Sequence, residues 1–261
     1  MMDVTGKVAI VTGGTSGIGK GIAIALANAG GKVIVVGMPT EEVCVQAAKD
    51  ISAECGVEVI GHKLDIANEK EVIEFVAQME KEHGRVDILV NNAGIQIIEK
   101  FEDFTSEKWH SLLNINLHGS FYISRECFKL MKKNDFGRVV NIGSVHSFVA
   151  STDKAAYVAG KHAMVGLTRT IATEGGPFNI SCNLVAPGFV LTPLVEKQIP
   201  ERARLEGITE EEVMKSMTHN TIDGQFTTVE EVADAVLFFA SAKSNAYSGQ
   251  DLIVSHGWNM R

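Results

Sequence analysis

The chain has 261 residues, 45% of them hydrophobic and 21% charged, with a mean hydropathy of +0.10, which supports a large buried core and excludes a disordered or collagen-like chain. The formal charge of −8, from 24 Lys+Arg against 32 Asp+Glu, removes the positive field that a nucleic acid or an anionic membrane surface requires, so neither is expected as a partner. No run of about 18 apolar residues offers a membrane span. Cys44, Cys55, Cys127 and Cys182 are scattered, with no CxxC pair and no histidine at zinc-finger spacing, which predicts no metal site, no disulfide framework and a reducing cytoplasm.

Short β-branched runs recur along the chain at residues 8–11, 33–36, 57–60, 86–90, 138–142, 180–185 and 252–254. Each is mostly apolar rather than alternating, the pattern of strands covered on both faces of a parallel sheet. Between them, segments beginning near Gly17, Glu41, Asn68, Ser106, Ala155 and Val229 have helical composition. This rhythm predicts a doubly wound α/β fold, with residues 1–261 forming one domain. Residues 189–226 break the rhythm: they are polar, rich in charge and methionine, and longer than an ordinary connection, which predicts a helical lid over a site.

The first strand runs into Thr12-Gly13-Gly14-Thr15-Ser16-Gly17-Ile18-Gly19, followed by a helix-forming stretch. Strand, glycine turn and helix amino terminus make a phosphate cradle, because glycine permits φ > 0 and close backbone approach while the helix end offers unpaired N–H groups. Gly14, Gly19 and Lys20 also satisfy GxxxxGK, but Gly21 stands where a triphosphatase needs a magnesium-binding hydroxyl, so that reading is rejected. The glycine spacing is GxxxGxG, which points to a different class of dinucleotide-binding protein from GxGxxG. Tyr157 and Lys161, four residues apart on a predicted helix, share a face, and an ammonium there favours the phenolate of a tyrosine that is otherwise a poor base at neutral pH. Ser144 follows a predicted strand, and its hydroxyl is expected at the carboxyl edge of the sheet without a GxSxG nucleophile elbow around it.

The glycine turn, Asn91-Asn92-Ala93-Gly94, Asn116, Ser144, Tyr157-x-x-x-Lys161 and Pro187-Gly188 together resemble the short-chain dehydrogenase/reductase family over almost the whole chain. The resemblance implies a single Rossmann-type domain with a seven-stranded sheet and a catalytic tetrad of Asn116, Ser144, Tyr157 and Lys161. It further implies cofactor contacts from Gly13, Thr15, Ser16, Gly17, Ile18, Gly19, Asp65, Asn92, Gly94, Pro187, Gly188, Val190 and Thr192, with Asp65 at the adenine and Val190 and Thr192 at the carboxamide and phosphates. Finer similarity lies in Asn92-Ala93-Gly94-Ile95-Gln96, residues 144–151, Lys154-x-x-Tyr157 and residues 192–199. These resemble the bacterial subgroup that oxidises (R)-3-hydroxybutyrate to acetoacetate with NAD. There Gln96, His146, Lys154 and Gln198 are implied to hold the carboxylate of a small hydroxy-acid or keto-acid, and Phe189 to flank it in place of the subgroup's usual tryptophan.

By the same resemblance Tyr157 takes the hydroxyl proton, Lys161 stabilises the phenolate and binds the nicotinamide ribose, Ser144 hydrogen-bonds the reacting oxygen, Asn116 supports a proton-carrying water, and the assembly is a homotetramer. The sequence departs from the pattern at Gly37-Met38-Pro39, where many NAD-specific members carry an acidic residue, and at Ser255-His256-Gly257-Trp258, where Asp-Gly-Gly-Trp is more usual. An NADPH-dependent acetoacetyl-coenzyme A or other ketone reductase is the nearest alternative, although Ser16 and Met38 stand where such enzymes tend to carry Arg or Lys. A non-enzymatic nucleotide sensor is the alternative of a different class, and the intact tetrad argues against it.

Overall fold

The computed structural model describes residues 2–260; Met1 and Arg261, the ends of the expected domain, and the side chain of Leu194 lie outside the described residues. The apolar runs form seven strands, β1 (Val8–Thr12), β2 (Lys32–Gly37), β3 (Val59–Lys63), β4 (Ile88–Asn91), β5 (Gly137–Ile142), β6 (Ile180–Pro187) and β7 (Asp251–Val254). They pair in parallel throughout in the order β3-β2-β1-β4-β5-β6-β7. All carboxyl ends therefore share one edge, and the order reverses between β1 and β4, which opens a crevice there. The third strand lies later than its apolar run predicts. Gly56 in the left-handed region ends the preceding helix and Val57 is exposed, so pairing with β2 begins at Val59 and carries on through Gly61, His62 and Lys63.

Helices α1 (Gly17–Asn28), α2 (Glu41–Cys55), α3 (Glu69–His83), α4 (Ser106–Leu113), α5 (Ser120–Lys133), α6 (Ala155–Gly175), α7 (Pro193–Glu206), α8 (Glu210–Thr218) and α9 (Val229–Ala240) surround the sheet. Thr40, Asn68, Thr105, Thr192, Thr209 and Thr228 each accept a backbone N–H at a helix start, satisfying donors that the helix leaves orphaned. One face of the sheet packs Ile22 and Leu26 of α1, Ile51 of α2, and Val232 and Val236 of α9. The other packs Val72, Val76 and Met79 of α3 with Ile123 and Cys127 of α5. The helical pattern that starts at Ser106 does not run on unbroken, because a π-helical turn over Asn114–Gly119 separates α4 from α5.

The 189–226 segment contains α7 and α8, joined by a small apolar cluster of Ile199, Ala203 and Val213. It leaves and returns at one place: Thr227 N–H donates to Phe189 O at 3.0 Å, and Leu191 N–H donates to Thr227 O at 3.0 Å. At the opposite, amino edge of the sheet, buried Asp87 accepts from Val8 N–H at 2.9 Å and pairs with Arg85. There also, fully buried Arg138 donates to the carbonyls of Gly137, Asn179 and Ala242 at 2.7–2.8 Å.

The crevice is tied across β1 and β4 by Thr12, which is 1% exposed. Its hydroxyl accepts from the N–H groups of Asn92 and Ala93, both at 3.0 Å, and donates to Val90 O at 3.3 Å. Thr12→Val keeps the shape but leaves those donors unpaired, so we expect a loss of about 1–3 kcal/mol in urea unfolding. Retention of wild-type stability would show that this tie is not needed.

Candidate active site

The glycine turn after β1 lies at the crevice. Gly13 and Gly17 adopt φ of +61° and +50°, and a Cβ on Gly19 would stand 2.1 Å from the Gly13 carbonyl oxygen. Only glycine fits there, so the turn folds back tightly enough to present the amino terminus of α1 to the crevice. The Asn92 side chain locks the turn by donating to Thr12 O at 3.0 Å and Gly13 O at 3.1 Å.

The resulting cleft has a volume of about 500 Å³ and is lined by Gly13, Thr15, Ser16, Gly17, Ile18, Gly19, Gly37, Met38, Asp65, Asn92, Gly94, Ile95 and Thr192, among others. Its size, its glycine floor and the helix end suit a dinucleotide. Ala67 N–H bonds one Asp65 carboxylate oxygen at 2.9 Å. Pro187 and Gly188 lie at the carboxyl end of β6, where Gly188 N–H donates to Val254 O at 2.9 Å. Val190 is buried and bridges to Thr227, while Thr192 caps α7. Lys20 points away from the cleft and pairs with Glu54 of α2 at 3.1 Å.

Ser144, Tyr157 and Lys161 come together at the ends of β5 and α6. Ser144 caps a short 3-10 turn, accepts from His146 N–H at 3.2 Å, and its hydroxyl neighbours the Tyr157 phenol. Lys161 is buried and donates to the carbonyl of Ile142 at 2.6 Å, with its nitrogen 5.6 Å from the Tyr157 ring centroid. Burial pushes Lys161 down to about 8. Burial also raises Tyr157 above its usual range, against the opposing influence of the Ser144 hydroxyl, so the protonated phenol is favoured in this state. The spacing alone suggests that the ammonium leads; here burial is the largest influence on the phenol.

Asn116 is buried in the π-helical turn. Its side chain clamps Ile95, accepting from the backbone N–H at 2.8 Å and donating to the carbonyl at 2.9 Å, so the amide is occupied in holding the loop after β4.

Four further side chains form an aromatic and cationic wall. The His146 ring meets Tyr157 edge-on at 6.1 Å and Trp258 edge-on at 5.7 Å, Trp258 stacks on Phe189 at 5.2 Å, and Lys154 Nζ stands 5.7 Å from the Phe189 ring. Burial lowers both His146 and Lys154, and the Lys154 charge lowers His146 further. Gln96 and Gln198 are not gathered with this group: Gln96 is exposed in the loop after β4, and Gln198 is exposed on α7. The sequence reading did not place Trp258 or Thr12 in the site. A tryptophan just past the last strand, at the ligand-binding edge, was the available signal for the first.

The model of a family described as short chain dehydrogenase matches residues 7–203. The chain is 40% identical to a D-beta-hydroxybutyrate dehydrogenase of Rhizobium meliloti over 97% of this chain and 98% of that one. It is 33% identical to an acetoacetyl-CoA reductase of Shinella zoogloeoides over 96% and 98%. A crystal structure of a putative gluconate dehydrogenase from Agrobacterium tumefaciens superposes with a TM-score of 0.90 at 29% identity, covering 98% of this chain and 97% of that one.

The electrostatics of the wall can be measured directly. A buried neutral imidazole titrates below its ordinary 6.5, so it opposes folding increasingly as pH falls from 6.5 through its lower folded value. NMR titration should place His146 below 6.5, and Lys154→Met should raise that midpoint by removing the neighbouring charge. A midpoint unmoved by Lys154→Met would mean that the ammonium does not face the imidazole.

Proposed function

Because the chain belongs to the short-chain dehydrogenase family, we propose that it catalyses NAD-dependent oxidation of (R)-3-hydroxybutyrate to acetoacetate, and the reverse reduction. The observation that carries the reading is the Lys154 ammonium set in the same aromatic wall as Tyr157 and His146. A partly desolvated cation in the wall that also carries the proton-transferring phenol suits a substrate whose carboxylate lies one methylene from its reacting carbon. The 40% identity to a dehydrogenase of that name supports it.

The nicotinamide, when bound, supplies the hydride acceptor and, oxidised, a positive charge. Residues 13–19 hold the pyrophosphate on the amino terminus of α1, Asp65 meets the adenine, and Asn92, Gly94, Pro187, Gly188, Val190 and Thr192 line the path toward the reacting end. Ser16 and Met38 bring no positive charge to the adenosine end and Lys20 is held by Glu54, which supports NAD over its 2′-phosphorylated form.

Ser144 holds the substrate oxygen and Tyr157 accepts its proton as general base. The phenol must first lose its own proton, and the buried Lys161 charge is the group of this chain that favours that loss once the site fills. Asn116, through the turn it stabilises, supports the water that takes the proton outward. His146 and Lys154 bind the carboxylate, Phe189 and Trp258 enclose the carbon chain, and Gln96 and Gln198 complete the carboxylate site when the 189–226 segment closes as a lid. The whole chain acts as one domain. A reducing cytoplasm suits its free cysteines, and exposed Phe121, Phe238 and Tyr247 supply apolar surface for a homotetramer.

The competing reading is an acetoacetyl-coenzyme A reductase, the activity by which a 33% identical relative is named. A thioester has no carboxylate to offer Lys154. The deciding experiment is nicotinamide absorbance with (R)- and (S)-3-hydroxybutyrate, each with NAD and NADP, beside acetoacetyl-coenzyme A with NADH and NADPH; turnover confined to acetoacetyl-coenzyme A with NADPH would overturn the proposal. Tyr157→Phe should lose about 10²–10⁴ in turnover while remaining folded.

Lys154→Ala should lose about tenfold or more in kcat/KM for the acid and little for its neutral methyl ester. An equal loss for acid and ester would remove Lys154 from carboxylate recognition.

A further inference from the structure

The carboxyl-terminal turn carries an arrangement that the proposed chemistry does not use. His256 follows β7 with φ of +49°, in the left-handed region that favours glycine, and its carbonyl accepts from Ile222 N–H at 2.8 Å. Its ring lies between two carboxylates from different elements. Nδ1 is 2.7 Å from Asp223, in the stretch after α8, and Nε2 is 3.2 Å from Glu231, in the first turn of α9. Glu231 is itself fixed, because the same carboxylate oxygen caps Thr228 N–H at 2.8 Å.

An ionised carboxylate only accepts hydrogen bonds, and a neutral imidazole carries a single N–H. Both contacts can therefore be hydrogen bonds only when both ring nitrogens are protonated. Two residues later comes Trp258, stacked on Phe189 and edge-on to His146.

Resting on the function proposed above, we infer that His256 is a positioning residue. As an imidazolium it clasps the carboxyl-terminal turn to the base of the 189–226 segment and to α9, holding Trp258 in the substrate wall, so that substrate affinity falls as the clasp deprotonates. The neighbouring charges agree with this assignment. Hydrogen bonds to Asp223 and then Glu231 raise His256 above its ordinary 6.5. Another charged pair on this surface, Arg169 with Asp251 at 2.7 Å, engages one Asp251 carboxylate oxygen and leaves the other buried without a hydrogen-bond partner. On the inner side of Trp258 the titratable neighbours are His146 and, across Phe189, Lys154, both lowered by burial. Because the folded value of His256 is raised, the clasp is complete below 6.5 and is lost as pH rises through that raised value.

The protein has two tryptophans, so Trp109→Phe leaves Trp258 as the sole indole reporter. In that background, Trp258 fluorescence without any ligand should titrate with a midpoint above 6.5. Asp223→Asn should move the midpoint down, and both His256→Gln and His256→Gly, the latter free of backbone strain, should abolish it. In parallel, KM for (R)-3-hydroxybutyrate should rise about fivefold across that midpoint in the parent. In the two His256 variants it should be high and flat, with kcat little changed. A fluorescence midpoint that survives both His256 variants, or one found only below 6.5 where His146 titrates, would overturn the clasp. Absent turnover of 3-hydroxybutyrate with the fluorescence titration intact would overturn the substrate reading and support the clasp.

Discussion

Two hydrogen bonds from the Asn92 amide to the carbonyls of Thr12 and Gly13, with the Thr12 hydroxyl answering from the other side, hold the crevice between β1 and β4 in shape. The two strands are neighbours, yet the chains leaving them turn to opposite faces of the sheet, and nothing in a parallel ladder joins those departing segments. The ties do so with groups that would otherwise be orphaned at a strand end. With them in place, the glycine turn faces the loop after β4 at contact distance, and Asn116 extends the same scheme by gripping Ile95 from the π-helical turn.

Around this frame the site stores unfavourable electrostatics. Lys161 is buried with one main-chain carbonyl as its hydrogen-bond acceptor, Tyr157 is raised, and His146 and Lys154 are lowered, in every case with burial as the largest cause. Such groups cost stability in the free chain and regain it only where a ligand of opposite charge or a matching hydrogen bond arrives. The same desolvation strengthens each interaction that these groups make with an anion.

Much of this was legible in the sequence because the alternation of strand-like and helix-like segments, the buried apolar runs and the glycine spacing are local signals with long-range consequences. The strands at 8–11, 33–36 and 138–142 match the structure to within two residues, and the helix after the glycine turn starts at Gly17. The misread third strand followed from Val57, whose apolarity looks like a core position although Gly56 leaves it outside. The π-helical turn over Asn114–Gly119 is poor in strong helix formers, which marks an interruption, but the bonds from Asn116 to Ile95 that occupy it are long-range and no spacing encodes them. Gln96 and Gln198 illustrate a different limit. Their chain positions bring them to the correct edge, but where an exposed amide on a loop or on α7 finally points depends on tertiary closure, which no spacing encodes.

The buried Arg138 and Asp87 networks lie at the amino edge of the sheet, the opposite end of the strands from the cleft. Strand β5 alone spans six residues at about 3.3 Å each, so the two edges lie well beyond the roughly 7–10 Å within which substitutions usually couple. Substitutions at the amino edge should therefore add to, rather than couple with, substitutions at the cleft. Stabilising changes at the amino edge can thus offset the cost of destabilising changes in the loops at the cleft, giving the scaffold room to alter its site without drifting out of its fold.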